Sequence, residues 1–406
     1  MLWIRLFLPF AGAYFLSYHF RTANAVIGPV LSEELSLGAA DLGLLTSAYF
    51  LGFGAAQLPL GMLLDRFGAR RVESALLVIA GAGAALFACG HGIGALACGR
   101  GMIGLGVSAC LMASFKAFSQ WFPPERQASL TGWMMTAGTL GALAASVPLD
   151  SALQVVNWRS VFFALSAATL TFAAWLFLSV PDRPDGPLPE PLAVLWAGVK
   201  QVLRNRHFWR FVPVGCAQIG GFLAVQSLWS SAWLMHVNGY SRTLAADHLA
   251  AMSVAMVIAY ALIGLLATGL AQRGIAPIYL LIGGLAMAQV SLLLLITQAI
   301  AQTYLLWIAY GAFSSFGTLA YSQMSSGFPV ALCGRANATF NLMVFLSAFA
   351  FQWGLGVLID LLQASGCSAP IAHRNAFAVL FIGQAAALLW LCCSGRRPIP
   401  GATHRP

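Results

Sequence analysis

An arginine lies in the middle of the first long apolar run of the chain, where a permanent charge is costly. The residues around it are Tyr18-His-Phe-Arg21-Thr-Ala-Asn24, and a charged side chain at the centre of a bilayer costs about 2.5 to 3.5 kcal/mol or more. The planar guanidinium suits a carboxylate or a phosphate. We therefore expect Arg21 to face a cavity and bind an anionic solute, with Tyr18 and Asn24 beside it. The alternative is a structural arginine paired with a carbonyl or carboxylate group.

Further polar side chains within the apolar runs are candidates for the same cavity. Lys116 is either a second cation of the cavity or a side chain that extends to the membrane surface. Arg100 either takes part in proton coupling or pairs with a polar neighbour. The second half of the chain offers uncharged groups, each of which can instead be an interhelical hydrogen-bond partner: Gln218, Gln226, Tyr321 and Asn341.

Groups that could carry a proton are scarce in the apolar runs. The acids fall at or near the predicted ends of the runs, and Glu73 is placed with Asp65 at the cytoplasmic ends, so no carboxylate is expected at mid-membrane. His19 is the one central group that titrates near neutral pH. It is either a coupling residue or a packed, hydrogen-bonded histidine. Facilitated diffusion without a coupling ion stays open.

Composition requires that these residues be held by a bundle of membrane helices. Of 406 residues, 60% are hydrophobic and 8% are charged, against about 25% charged in soluble proteins. The net charge of +9 does not indicate nucleic-acid binding, because the cations occur in short clusters beside apolar runs. The eight cysteines have no spacing typical of disulfides or a zinc site.

Apolar runs of about 20 residues, the length that crosses a bilayer, predict twelve transmembrane spans. Arginine and lysine are enriched in alternate loops, which by the positive-inside rule places both termini in the cytoplasm of a multi-pass inner-membrane protein. The predicted spans are 6–30, 41–62, 72–91, 94–118, 128–149, 159–180, 209–234, 245–270, 275–297, 302–326, 336–361 and 372–394. Paired glycines at Gly220 and Gly221 predict an interruption with a flexible point in the seventh span.

The loop between the second and third spans carries the most specific motif. It reads Gly61-Met-Leu-Leu-Asp65-Arg66-Phe-Gly-Ala-Arg70-Arg71, and this spacing closely resembles the signature loop of the major facilitator superfamily of secondary transporters. The resemblance implies that Asp65 and the arginines form a gate that locks the cytoplasmic side during alternating access. The alternative is a solvated turn that only sets the topology.

Membership of this superfamily implies an all-α fold with two pseudo-symmetric six-helix bundles related by an internal repeat. The chain then divides into a first bundle (1–180), a cytoplasmic linker (181–208), a second bundle (209–394) and a cytoplasmic tail (395–406). The residues around Arg21 loosely resemble the first helix of the organic-anion and organophosphate branches, in which an arginine binds the charge of the substrate. The basic linker could also contact anionic lipid headgroups.

The favoured function is transport of a small, anionic organic solute, with proton symport as one option. An exporter of drugs or other hydrophobic or cationic compounds is the alternative, although such an exporter predicts a buried acid that the sequence does not show. An enzyme is excluded by the lack of a convergent catalytic or metal-binding motif, and a nucleotide-binding loop is absent. We expect a monomer in the lipid bilayer whose partners are the solute and, if coupled, protons, with no metal, cofactor or nucleic acid.

Overall fold

The long apolar runs form helices, because backbone polar groups inside a bilayer must be satisfied within the chain. The structure, a computed structural model, describes residues 3–181, 192–273, 275–300 and 302–394, and these residues contain no strand. Nine of the described helices are long and apolar enough to cross a membrane. The predicted tail, 395–406, and residues 182–191 of the predicted linker lie outside the described residues.

Within the described residues, twelve helices in chain order correspond to the twelve predicted spans. A kink at Gly68 divides the helix Ala39–Cys89 into two of them. Their bounds are α1 Leu8–Leu35, α2 39–67, α3 69–89, α4 Ile93–Trp121, α5 124–153, α6 Trp158–Ser179, α7 Arg206–His236, α8 Arg242–Gln272, α9 Pro277–Thr297, α10 303–325, α11 Val330–Ala364 and α12 Ala369–Ser394. We call α1–α6 the first half and α7–α12 the second half. The predicted ends shift by several residues.

A further helix, Leu192–Arg204, precedes α7 and packs against α11. We call it the linker helix, since it lies in the predicted linker 181–208. In its second half the buried residues Val199 and Val202 alternate with the exposed residues Lys200, Gln201 and Arg204, which is typical of a helix with one buried face. Asn205 separates it from α7, and its side chain accepts a hydrogen bond from the backbone N–H of His207.

Three membrane helices among the described residues are irregular near their centres, and in α10 the irregular segment is the 3₁₀ turn Ser315–Thr318. In α4 the helical hydrogen bonding is interrupted between Gly106 and Cys110. In α7 two π-helical turns occur, Gly215–Gly220 and Val225–Trp229. The backbone at Gly220 and Gly221 is nevertheless helical, with φ near −63° at both residues. Gly220 ends the first of these π turns, so the regular α-helix of α7 is interrupted at the glycine pair, and the flexible point there stays a prediction.

The glycines of α4 allow this helix to approach its neighbours closely. A Cβ atom on Gly104 would collide with the backbone carbonyl of Tyr49 in α2. A Cβ atom on Gly106 would collide with the backbone of α3 at Leu76 and Ala80. Lipid chains are as apolar as the helix surfaces, so the hydrophobic effect does not drive helices together in a membrane. Close van der Waals packing stabilises the contact instead, and small residues make that packing possible.

The two halves contact each other through α2 with α11, α5 with α8, and α1 with α7. The start of α2 and the end of α11 meet at one end of the molecule, which we call the Asp360 end. The kink between α2 and α3 lies at the opposite end, the Gly68 end. One buried apolar cluster contains residues of both halves, and a second belongs to α7, α9, α10, α11, α12 and the linker helix.

Candidate solute site between the two halves

Arg21 lies on aromatic rings from both halves of the protein. Its Cζ atom is 4.6 Å from the ring centroid of Tyr18, 5.3 Å from that of Phe53 in α2 and 5.7 Å from that of Phe345 in α11. The rings of Phe53 and Phe345 stack on each other at 4.2 Å. Aromatic faces attract a guanidinium, so these rings hold the side chain at the contact between α1, α2 and α11.

The aromatic rings do not satisfy the hydrogen-bonding capacity of Arg21 at its Nε atom. Among the described residues, no carboxylate lies within 4.0 Å of its guanidinium nitrogens, and its buried Nε atom has no hydrogen-bond partner. A guanidinium carries five N–H donors in its plane, and cation–π contacts do not satisfy them. The arrangement therefore suits a ligand with a planar acceptor such as a carboxylate.

Tyrosine hydroxyl groups surround this guanidinium. Tyr14 packs edge-on against Tyr18, with ring centroids 5.0 Å apart. The hydroxyl groups of Tyr14, Tyr260 of α8 and Tyr321 of α10 are all close enough to Arg21 to interact electrostatically with its charge. A phenol can both donate and accept a hydrogen bond, so helices from both halves present groups that could bind the hydroxyls of a polar solute.

A chain of polar side chains joins the halves one helical turn from Phe53 and Phe345. The Tyr321 hydroxyl donates to Asn341 Oδ1 at 2.6 Å, and Asn341 Nδ2 donates to Gln57 Oε1 at 2.7 Å. Gln57 Nε2 in turn donates to the backbone carbonyl of Phe53 at 3.1 Å. The predicted pair Tyr321 and Asn341 is thus connected to α2 and lies next to the rings that hold Arg21.

A cavity of about 390 Å³ lies between α5 and α8. Its lining includes Met135, Thr136 and Thr139 of α5 and Tyr260 of α8. The sulfur of Met135 is 3.9 Å from the hydroxyl of Tyr14, so the cavity borders the tyrosines around Arg21. Its volume is within the range of pockets that bind small molecules.

The other predicted solute residues are placed around this region with partners of their own. Asn24 is buried and its Nδ2 donates to Thr46 Oγ1 at 3.0 Å. Gln226 lies in a small space shared with Thr22 of α1, and its Nε2 is 3.3 Å from the sulfur of Met256. Asn24 thus lies at the contact of α1 with α2, and Gln226 lies at the contact of α1 with α7 and α8.

Gln218 belongs to a buried network of three glutamines within the second half. Its Nε2 donates to the backbone carbonyl of Gln384 at 3.0 Å, and its Oε1 accepts from Gln289 at 3.2 Å. Gln289 also donates to Gln384 Oε1 at 2.8 Å. Both functional atoms of Gln218 are therefore used in joining α7, α9 and α12.

The predicted coupling residues His19 and Arg100 are both buried. The His19 ring stacks on Phe15 at a centroid distance of 6.2 Å, and neither ring nitrogen has a hydrogen-bond partner. Arg100 donates from Nη2 to the backbone carbonyl of Phe20 at 3.1 Å and lies 5.5 Å from the ring of Tyr49. Arg100 thus links α4 to α1 at Phe20, the residue that precedes Arg21.

The signature loop brings together Asp65, a predicted gating residue, and Lys116, a predicted solute-binding residue. Lys116 of α4 forms an ion pair with Asp65, so this lysine lies at the Gly68 end and not beside Arg21. Arg66 lies against the ring of Phe67, and Arg70 donates to the backbone carbonyl of Val180 at 3.3 Å. Arg71 is exposed on α3.

Sequence reasoning missed two acids that join the halves at the Asp360 end. Asp360 accepts backbone hydrogen bonds from the first turn of α2. Asp150 of α5 is buried and pairs with Arg242 at the start of α8 at 2.5 Å, while Thr243 donates to the same carboxylate at 2.9 Å. Their positions near predicted span ends were visible in the sequence, but nothing there indicated which helix each would contact.

Glu73 is a third acid whose surroundings the sequence does not indicate. It lies near the end of a span, as predicted, but its side chain is wholly buried, and neither carboxylate oxygen has a hydrogen-bond partner. Glu73 is only five residues beyond the kink at Gly68. Because α3 begins directly after that kink, its first turn already packs inside the first half.

Comparison with known proteins decides the family. The sequence model of the Major Facilitator Superfamily matches residues 10–352, which is most of the chain. The chain belongs to this superfamily. The prediction made from the signature loop is therefore confirmed, and the protein is a member of a family of transporters and not of enzymes.

Two transporters are among the relatives of this chain. The hexuronate transporter of Bacillus subtilis (strain 168) is 27% identical over 190 residues, which are 47% of this chain and 44% of that protein. The probable L-galactonate transporter of Escherichia coli (strain K12) is 24% identical over 289 residues, 67% of this chain and 60% of that protein. The matched part of the chain thus spans less than two thirds of the length of either relative.

A solved structure supports the superfamily fold over the full length. The crystal structure of a bacterial homologue of the human lysosomal transporter Spinster superposes with a TM-score of 0.75 and 17% identity. The match covers 98% of this chain and 98% of that one. The two bundles of six helices are therefore the architecture of this chain as well.

Proposed function

We propose that this protein is a secondary transporter of small organic anions, and that Arg21 binds the negative charge of the solute. The observation that carries the proposal is a partly buried guanidinium that lies against Tyr18, Phe53 and Phe345 and has no carboxylate partner among the described residues. A permanent charge inside a membrane protein is retained at such a cost when it has a functional counter-ion. The hexuronate and L-galactonate relatives have names that specify carboxylate solutes, which supports the same class.

Sugar acids also suit the groups around Arg21. Hydroxyls of the solute would be bound by Tyr14, Tyr260 and Tyr321, which lie within electrostatic range of the guanidinium. The adjacent cavity of about 390 Å³ could admit a molecule the size of a hexose derivative. Arg21 lies where α1 meets α2 and α11, so binding there would bridge the two halves.

Transport would proceed by alternating access, in which the halves rock around the bound solute. The Asp360 end is held by Asp360 with α2 and by Asp150 with Arg242. We infer that this end faces away from the cytoplasm and is closed here, and that the signature loop closes the Gly68 end in the opposite state. Asp65 pairs here with Lys116 of its own half. In the opposite state it would leave Lys116 and contact the second half instead. In this proposal the protein works as a monomer in the inner membrane with both termini in the cytoplasm.

Uptake into proteoliposomes tests the proposal. The panel contains glucuronate, galactonate, a short sulfonate and a sugar phosphate, with glucose and a quaternary ammonium ion as uncharged and cationic probes. We expect uptake of at least one anion, weakened about ten- to hundredfold in affinity by Arg21→Gln, because a hydrogen bond to a charged group contributes about 1.5–3 kcal/mol. Arg21→Lys should be intermediate, since it keeps the charge but not the planar fork.

Arg126→Gln is the matched control, because Arg126 is exposed at the start of α5. It should transport like the wild type. If only glucose or the quaternary ammonium ion is moved, and Arg21→Gln moves it normally, the anion proposal is wrong and the alternative exporter function is favoured.

A further inference from the structure

A buried acid without a charged partner lies between α3 and α4, away from the rings that hold Arg21. The side chain of Glu73 has no exposed surface, and both of its oxygens lack hydrogen-bond partners. An ionised carboxylate in such a place would pay a large desolvation cost, and such groups become neutral instead. Glu73 is therefore in its protonated, uncharged form in the packing that the structure shows.

Four cations on the same and neighbouring helices are engaged elsewhere, and Arg71, two residues before Glu73, is exposed. Arg70, on the same helix, donates to Val180 O, Arg100 of α4 donates to Phe20 O, and Lys116 of α4 pairs with Asp65 of α2. On α6 the charged residue Arg159 pairs with Glu34 near the Asp360 end. Among the described residues, the titratable group that interacts with Glu73 is the thiol of Cys110 in α4.

The thiol of Cys110 lies near both Glu73 and α1, without a hydrogen bond to the carboxyl group. Cys110 begins the second segment of α4, directly after the interruption of that helix, and its thiol interacts with both the Glu73 carboxyl group and the Ser17 hydroxyl. Ser17 Oγ donates to Val107 O at 3.4 Å within the interrupted segment, and Tyr49 Oη donates to Ser17 O at 3.3 Å. Ser17 is one helical turn from Arg21, so α1 contacts both sites.

We propose that Glu73 is the binding site of a coupling proton, separate from the solute site and linked to it through Cys110 and Ser17. This inference rests on the proposed transport function. The carboxylate takes up one proton to become a carboxylic acid, and no other bond forms or breaks. The neutral acid fits the closed packing of α1, α3 and α4. Its ionised form needs water or a cation and favours a conformation in which these helices separate.

The protonation state can be measured without any solute. Infrared spectra of the purified protein in detergent at neutral pH should contain the carbonyl stretch of a protonated carboxyl group, and Glu73→Gln should remove it. The control Glu33→Gln changes an exposed acid of α1 and should leave the band in place. A wild type without this band, or a Glu73→Gln variant that retains it, would overturn the proposal.

Transport measures the coupling itself. An inward proton gradient should raise uptake by the wild type severalfold, and in Glu73→Gln the ratio of uptake with and without the gradient should fall to about one. Solute exchange without a gradient should persist, because the glutamine imitates the neutral acid. Glu73→Asp keeps a titratable group and should keep both the gradient response and the infrared band. This variant tests the proposal even if Glu73→Gln does not fold.

The two measurements separate failure of this inference from failure of the proposed function. If no anion is transported by the wild type, the function proposal fails while the infrared band still decides whether Glu73 holds a proton. If anion uptake by Glu73→Gln responds to the gradient as in the wild type, Glu73 is not the coupling site and the transport function stands.

Discussion

The carboxylate of Asp360, near the end of α11, caps the first turn of α2 at Ala40. Its Oδ2 atom accepts the backbone N–H of Ala40 at 2.8 Å, and its Oδ1 atom accepts that of Ala39 at 3.0 Å. The first N–H groups of a helix lack partners within the helix, and a negative charge there also interacts favourably with the helix dipole. The cap of one half of the protein is thus supplied by the other half, so it exists only while the Asp360 end is closed.

Asp360→Asn should therefore shift the protein away from the conformation described here. Loss of the charge removes about 0.3–1 kcal/mol of helix-dipole stabilisation, which changes the ratio of the two conformations about two- to fivefold. Distances between spin labels on α2 and α11, introduced by Asp41→Cys and Ser365→Cys in a background without native cysteines, would report the change. Asp247→Asn, an exposed acid of α8, should leave the distance distribution unaltered. Identical distributions for Asp360→Asn and the wild type would contradict the role of the cap.

The pair between Asp150 and Arg242 should behave as a coupled unit in thermal unfolding. Asp150 has 1% of its side chain exposed and Arg242 has 28%, so Arg242→Gln leaves a buried charge with only Thr243 and Gln154 as donors. We expect a loss of about 1–3 kcal/mol, seen as a lower midpoint in tryptophan fluorescence. Asp150→Asn combined with Arg242→Gln should recover part of this loss. If the double variant loses the sum of the two single losses, the side chains are not coupled.

Asn341→Ala should destabilise the contact between the halves, because it removes the amide that joins Tyr321 to Gln57. Gln57 Oε1 and the Tyr321 hydroxyl would each lose a partner, at about 1–3 kcal/mol for an unsatisfied buried group. Asn337→Ala is the matched control one turn away on α11, since Asn337 Oδ1 already has no hydrogen-bond partner. Unfolding midpoints without solute should therefore fall further for Asn341→Ala than for Asn337→Ala. Equal midpoints would mean that the chain of polar groups contributes nothing to stability.

Gly104→Ala should weaken the packing of α4 on α2. The added methyl group would meet the carbonyl of Tyr49, and overpacking of a close contact costs about 1–3 kcal/mol. Gly101→Ala is the control, because a Cβ atom there would lie 3.7 Å from Ala48 O, an ordinary contact distance. Size-exclusion profiles and unfolding midpoints should show a loss for Gly104→Ala alone. A variant at Gly104 as stable as the wild type would show that α4 can move without cost.

The helices and the family could be predicted from the sequence because both depend on local patterns. Apolar length sets each span, and the motif from Gly61 to Arg71 occupies one continuous loop. The contacts between the halves depend instead on which helices become neighbours. Asp360 and Ala40 are 320 positions apart, and no periodicity within α11 or α2 specifies that pairing.

Whether the sequence reveals a site residue depends on how far along its span a polar or charged side chain lies. Arg21 stands out because a charge in an apolar run is costly wherever the helix packs. Glu73 and Lys116 lie near span ends, where an acid or a lysine can reach water without cost, so the sequence does not distinguish a buried group from a solvated one. Gln218 shows the opposite difficulty, because a polar residue in mid-span can face a cavity or bind two other glutamines.

The turn at Gly68 is a single residue, with φ 77° and ψ 161°, a backbone conformation that is essentially restricted to glycine. No loop separates α2 from α3, so the two helices form a rigid bend, here called the elbow, and neither helix can shift independently of the other. One arm carries Gln57, which is bonded to the second half through Asn341, and the other carries Glu73. A displacement of the second half that pulls on Gln57 would therefore be transmitted mechanically, through this elbow, to the buried acid.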